Sequence, residues 1–286
     1  MLANKTFTLN NGIEIPAIGL GLWKVETETD CMRTIEAATN VGYRLIDTAA
    51  AYLNEIPVGK ALAESTINRE ELFITSKLWV QDYGYENTIK AFKKSLERLH
   101  LEYLDMYLLH WAVGDYLGSW KALEELYKAG YIRAIGVCNF TIPDLKRLIE
   151  HAEIVPVINQ VETHPFYQQK EMKKFLYSNN IQHEAWAPLS QGNSGLFENE
   201  VLKGIALKHK KSISQIILRW HLESQSIVIP KSSQAHHLQE NFNIYDFELD
   251  DEDTRLIQSL DTNHPYSVDP ENEEWLNYVR NWKLDI

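Results

Sequence analysis

Short apolar runs alternate with longer amphipathic stretches along this chain, and that rhythm is its most informative property. Residues 15–22, 45–48, 72–78, 103–110, 133–138, 156–161, 183–187 and 226–229 are short, mostly rich in Ile, Leu or Val, and mostly bounded by turn residues. Such runs predict strands buried on both faces. Between them, residues 28–40 set Cys31, Met32, Ile35 and Ala38 on one stripe. Residues 85–99 carry Ile89, Phe92, Leu96 and Leu99 at helical spacing, with Lys and Glu opposite. Gly42 and Gly130 follow helical patterns, where a left-handed capping residue belongs.

Strands alternating with helices imply βαβ units and a parallel sheet. Eight units with no Pro/Gly/Ser linker predict an α/β chain closed into a (β/α)8 TIM barrel, one domain over residues 1–286. A doubly wound sheet needs a glycine-rich dinucleotide turn after its first strand. Gly19-Leu-Gly21 begins one, but Lys24 stands where the third glycine belongs. Two segments lie outside the repeat. Residues 7–9 and 13–15 flank Asn10-Asn11-Gly12 and predict a hairpin. Residues 264–286 place Trp275, Tyr278, Val279 and Trp282 at the spacing of a short amphipathic helix. Packing on the barrel exterior is the plainer expectation for it, and a cover over substrate the alternative.

Composition narrows the chemistry. Cys31 and Cys138 are the only cysteines, too few for a disulfide framework and suited to a reducing, cytoplasmic setting. Met1-Leu-Ala-Asn-Lys-Thr lacks the charged and apolar regions of a secretory leader, and no apolar run approaches the roughly 18 residues of a membrane span. The formal charge of −12, from 28 basic and 40 acidic residues, argues against a nucleic-acid partner. A monomer acting on a small molecule, away from membranes, is the expectation.

In a parallel barrel the working face lies at the C-terminal ends of the strands. Four polar residues fall there: Asp47 after the second strand, Tyr52 in the loop beyond it, Lys77 ending the third strand and His110 ending the fourth. Taken singly, the aspartate reads as a helix cap, the tyrosine as packing, the lysine as solvated and the histidine as structural. Together their chemistry interlocks. A tyrosine, with its pKa of roughly 10, donates a proton poorly at neutral pH unless a cation stabilises the phenolate. Lys77 supplies that cation, Asp47 keeps it charged, and His110 can donate to a substrate oxygen or hand on a proton. This is a device for protonating an oxygen that gains negative charge.

The runs carrying these residues are familiar. Gly42-Tyr-Arg-Leu-Ile-Asp-Thr-Ala-Ala-Ala-Tyr52-Leu-Asn-Glu55-Ile-Pro-Val-Gly59 resembles a signature of the aldo-keto reductases. So do the segment from Leu96 to His110-Trp111 and Ile229-Pro-Lys-Ser232, and the resemblance runs from Gly19 to about Asp261. It implies an oxidoreductase that reduces aldehydes or ketones with NADPH, Tyr52 being the general acid assisted by Asp47, Lys77 and His110. By the same resemblance Asn139 and Gln160 would hold the nicotinamide carboxamide, and Trp186 would stack on the ring. Leu189 and Ser190 would carry the pyrophosphate, Lys231, Ser232 and Ser233 the 2′-phosphate, and Glu240 and Asn241 the adenine. The cofactor brings the redox chemistry and the protein orients it.

Departures from the pattern matter. Cys138 replaces a usual serine, at the cost of a hydrogen bond to the carboxamide; a redox-sensing thiol is the lesser reading. Ala112 follows Trp111 where proline is usual. His237 stands where arginine commonly meets the 2′-phosphate; a histidine lacks the permanent bidentate fork, so NADPH preference is expected to be weaker and NADH a lesser alternative. Trp23, Trp79 and Trp111 follow strand ends and would line an apolar pocket for small aldehydes and α-dicarbonyls. Two other classes compete. A metal-dependent barrel hydrolase lacks its ligand spacings here, His183-Glu184 and His236-His237 reading as exposed or structural pairs. A cofactor-binding regulatory barrel would not need all four of Asp47, Tyr52, Lys77 and His110.

Overall fold

A computed structural model describes residues 6–192 and 195–285. The leader expectation, which rests on the first residues, lies largely outside them. The chain opens with β1 (Thr6–Thr8) and β2 (Glu14–Pro16), an antiparallel hairpin in which Phe7 faces Ile15. Gly12, at φ 83°, turns it, in the left-handed conformation that glycine adopts without strain.

The barrel strands follow as β3 (Gly19–Gly21), β4 (Leu45–Asp47), β5 (Phe73–Leu78), β6 (Leu104–Leu109), β7 (Ile132–Cys138), β8 (Ile158–Glu162), β9 (Gln182–Trp186) and β10 (Ser226–Val228). Among the described residues they form one parallel eight-stranded sheet in sequence order from β3 to β10. Its edges meet through a parallel bridge between Ile18 and Val228, with Val228 N donating to Ala17 O (3.0 Å) and Gly21 N to Pro230 O (3.2 Å). Gly21 is required at this seam. A Cβ there would lie 2.8 Å from the Ile229 carbonyl oxygen, so the glycine pair belongs to barrel closure and not to a dinucleotide turn.

The first predicted strand divides in two: residues 14–16 join the hairpin and 19–21 the barrel. Pro16 has no N–H to extend a ladder, which helps to end the first piece. The other seven barrel strands match their runs to within about two residues at either end.

The helices are α1 (Glu28–Val41), α2 (Glu55–Ala63), α3 (Tyr85–Leu99), α4 (Tyr116–Lys128), α5 (Ile142–His151), α6 (Lys170–Ser178), α7 (Glu200–His209), α8 (Ile213–Glu223), α9 (Ala235–Phe242), α10 (Asp251–Gln258) and α11 (Glu273–Asn281). Local chemistry sets many ends. Thr27 caps α1 through Asp30 N, Thr141 and Asp144 form a capping box on α5, and Gly42 closes α1 at φ 123°. Buried Leu, Ile and Val from the strands and inner helix faces form the main core. No helix among the described residues is long and apolar enough to cross a membrane.

Candidate active site

Strand periodicity decides which side chains enter the barrel. Within β5, Ser76 turns outward and donates to Glu55 on α2 (2.6 Å), a carboxylate also held by Arg98 on α3 (2.6 Å). Lys77 therefore turns inward, where it is fully buried. Its Nζ donates to Asp47 Oδ1 (2.5 Å), to the Thr48 carbonyl (3.1 Å) and to the Tyr52 hydroxyl (3.1 Å). The last strand residue of β4, the third residue of the following 3-10 turn and the inward lysine of β5 thus converge on one ammonium. His110 lies beside them, its ring 5.9 Å from that of Tyr52.

Burial and charge compete here. Burial raises the Asp47 carboxyl, and Lys77 opposes it. Burial pulls Lys77 down, but Asp47 and Tyr52 more than offset this, so its ammonium is held firmly charged. Burial keeps the Tyr52 hydroxyl protonated well above its ordinary range, with Lys77 acting in the opposite sense. His110 is pushed well below its ordinary value by burial and then by Lys77. It is therefore a neutral imidazole, a hydrogen-bond donor and not a store of a second proton. Among the described residues its Nδ1 has no partner.

The residues assigned to the nicotinamide gather next to this cluster. Asn139, at φ 59°, gives Nδ2 to the His110 carbonyl (3.2 Å) and accepts from Trp186 Nε1 (2.9 Å) at Oδ1. Gln160 sends its two N–H groups to Asp47 Oδ2 (2.9 Å) and Glu184 Oε2 (2.8 Å). Cys138 is buried, its Sγ 3.6 Å from Gln160 Oε1. Burial pushes that thiol far up, away from the thiolate form that a reactive cysteine needs.

Beyond Trp186 the backbone takes positive φ at Ala187, Ser190, Gln191 and Gly192. Ser190 Oγ is buried there and has no partner among the described residues, while Leu189 is half-buried beside it. Lys231, His236 and His237 are exposed, Ser233 is half-buried and Ser232 is buried, accepting from Gln234 N (3.2 Å). Asn241 is buried and Glu240 half-buried on α9, which Gln215 ties to α8 through the Glu240 and Asn243 carbonyls.

The three rim tryptophans differ in setting. Trp23 is 39% exposed and meets Tyr52 edge-on at 4.9 Å. Trp79 and Trp111 are buried, because the C-terminal segment folds over them. Trp282 packs on Trp79 at 5.2 Å, Trp275 on Trp111 at 5.8 Å, and Val279 of α11 is buried among Ala50, Ala51 and Val113. Trp79 Nε1 donates to the Trp282 carbonyl (3.0 Å), and Gln81 exchanges two hydrogen bonds with Leu284. At the segment's start, Glu162 accepts from the backbone N–H groups of Tyr266 (2.7 Å) and Ser267 (3.0 Å). The exterior packing expected for this helix is thus corrected: it covers the rim that carries Trp79 and Trp111.

The pair His183-Glu184 is buried, which is the structural one of its two expected settings. Period-two alternation sends His183 outward to Thr163 (3.0 Å) and Glu184 inward to Gln160. His236 and His237 are exposed, as read. Among the described residues, no three His, Cys, Asp or Glu side chains are placed to hold a metal ion.

Residues 17–262 match the model of the aldo/keto reductase family. The chain belongs to that family. Among its relatives, this reductase is 51% identical to the glyoxal reductase of Bacillus subtilis strain 168, over 93% of the chain and 96% of the relative. It is 44% identical to the methylglyoxal reductase DkgA of Escherichia coli K12, over 94% of the chain and 98% of DkgA. A solved structure of a Gox0644 mutant in complex with NADPH superposes with a TM-score of 0.86 at 38% identity, covering 91% of this chain and 94% of that one. The chain is accordingly an oxidoreductase, and its eight-stranded barrel is the architecture of its family.

Proposed function

We propose that this aldo-keto reductase reduces small aldehydes and α-dicarbonyls to alcohols, using NADPH as the hydride donor and Tyr52 as the proton donor. The observation that carries the reading is the single ammonium of Lys77, within 3.1 Å of the Tyr52 hydroxyl and 2.5 Å of Asp47, at the working end of the barrel.

The residues present suit the cofactor. The orphaned, buried Ser190 Oγ sits in a loop of positive-φ residues, an arrangement that turns polar groups toward a phosphate. Exposed Lys231 and His237, with the buried Ser232 and the half-buried Ser233, make a set that suits a 2′-phosphate, with Glu240 and Asn241 for the adenine. Trp186, Asn139 and Gln160 flank the place for a nicotinamide carboxamide. When bound, NADPH supplies the hydride to the carbonyl carbon.

The protein's part is the oxygen. His110, neutral and buried, donates a hydrogen bond to the carbonyl oxygen and favours charge developing there. Tyr52 then gives up its proton, and Lys77 stabilises the phenolate left behind. Asp47 holds Lys77 in place and charged. Trp23, Trp79 and Trp111, with Trp275 and Trp282 behind the last two, make a low-dielectric wall that suits a compact carbonyl compound. The names of the glyoxal and methylglyoxal reductases support the α-dicarbonyl class.

The test is loss of NADPH absorbance with a panel of glyoxal, methylglyoxal, short aldehydes and bulky ketones. The expected order is α-dicarbonyls and small aldehydes first. NADPH binding without turnover of any carbonyl would overturn the reading in favour of a regulatory barrel, and turnover abolished by EDTA would favour a metal enzyme.

A further inference from the structure

Glu184 has no place in the mechanism above, yet it is a fully buried carboxyl inside the barrel, close enough to Asp47 and Lys77 to feel their charges. It stands directly opposite Gln160 in the β8–β9 ladder. Its Oε2 accepts one Gln160 N–H (2.8 Å), while the other N–H of the same amide goes to Asp47 Oδ2 (2.9 Å). One amide therefore bridges two carboxyl groups, and the bridge has a direction. Reversing the amide would set its oxygen between two carboxyl oxygens, a repulsive arrangement in a dry interior. Gln160 is left with only an acceptor, Oε1, toward Cys138 and any neighbouring ligand.

The second carboxyl oxygen, Glu184 Oε1, is buried without a partner among the described residues. The Gln160 hydrogen bond and the more distant Lys77 favour its charged form, but burial and Asp47 outweigh them. The groups facing Glu184 are Asp47 from β4, Lys77 from β5 and Cys138 from β7, while β10 presents Ile227 opposite it. Burial and Asp47 raise its pKa to about 8, whereas Lys77 and the Cys138 thiol are pushed above the neutral range.

We propose that Glu184 is a positioning residue for the reaction: it fixes the Gln160 amide and, on losing its proton, biases the site toward the oxidised cofactor. The inference rests on the reductase reading given above. An added negative charge inside the barrel favours a positively charged oxidised nicotinamide over its neutral reduced form. The same charge makes Tyr52 a weaker proton donor. Glu184 thus couples alkaline pH to which form of the cofactor the site holds more tightly.

Binding of NADPH and NADP+ can be followed by tryptophan fluorescence at pH 6.5 and 9 in the wild type, Glu184→Gln and Glu184→Leu. In the wild type, the ratio of Kd for NADP+ to Kd for NADPH should fall about threefold or more between the two pH values. Glu184→Gln keeps an acceptor for Gln160 but cannot ionise, so its ratio should stay flat. Glu184→Leu frees the Gln160 amide and should weaken both cofactors about tenfold at each pH, with Glu184→Gln restoring most of that loss. A purely structural glutamate would change melting temperature alone.

A wild-type ratio that does not move, or a Glu184→Gln ratio that still falls, overturns the inference, and Glu184→Gln carries the decision even if the leucine variant does not fold. A wild type that binds NADPH but reduces no carbonyl overturns the reductase reading by itself. One that binds no NADPH overturns both.

Discussion

Two buried aspartates sit at opposite ends of the same barrel, each paired with a cation, and they serve different ends. Asp105, near the start of β6, is saturated: Arg69 (2.7 Å) and Arg133 (2.6 Å) pair with it, and Ile74 N donates to it (2.9 Å). Both arginines reach outward to partial exposure, so the cluster is anchored in solvent and holds three neighbouring strands in register. Asp47, ending β4, meets a lysine that is itself buried and shares that lysine with a tyrosine hydroxyl. The first arrangement spends its hydrogen bonds on the fold. The second sets a hydroxyl next to a fixed charge at the C-terminal end of the strands, the arrangement that the proposed proton transfer requires.

The largest expected effect tests the reactive end. Tyr52→Phe should lower kcat roughly 10²- to 10⁴-fold, as loss of a general acid does, while cofactor affinity and melting temperature change little. A kcat within tenfold of wild type would remove Tyr52 from its role. A smaller effect is expected at the other end. Asp105→Asn should cost about 2–3 kcal/mol, less than a fully buried pair because both arginines are partly exposed, and lower Tm by several degrees. Its kcat at 25 °C should stay within about twofold of wild type, and a large kcat loss without a Tm shift would erase the contrast. The smallest effect lies at the exposed cofactor surface. His237→Arg should raise the preference for NADPH over NADH about three- to tenfold, read from the ratio of KM values, because arginine offers a permanent bidentate fork to a phosphate. An unchanged ratio would mean that residue 237 does not meet the 2′-phosphate.

The barrel was legible because buried parallel strands leave unbroken apolar runs, and the polar rim was legible because Asp47, Lys77 and His110 each lie at or next to the end of such a run. What escaped had a physical reason in each case. The helical spacing of Trp275, Val279 and Trp282 shows that one face of α11 is covered but cannot say by what. Its cover, Trp79 and Trp111, lies far away in sequence. The inward setting of Glu184 is hard to read from sequence because a charge inside a strand normally points to water. The available cue was its place two residues before Trp186, on the face that enters the barrel. The position of His110 suits a donor or a proton shuttle alike; the depth of its burial, beside a lysine, favours the neutral imidazole.

The seam at Gly21 also bears on how the molecule is assembled. Seven of the strand junctions join neighbours in sequence, but the eighth joins residues near 18 to residues near 228. Closing a loop of that length costs roughly 5 kcal/mol of chain entropy, and little of it is repaid until the last strand docks. The barrel therefore closes late in folding. During synthesis β3 leaves the ribosome early and waits, unpaired along one edge, until β10 has been made.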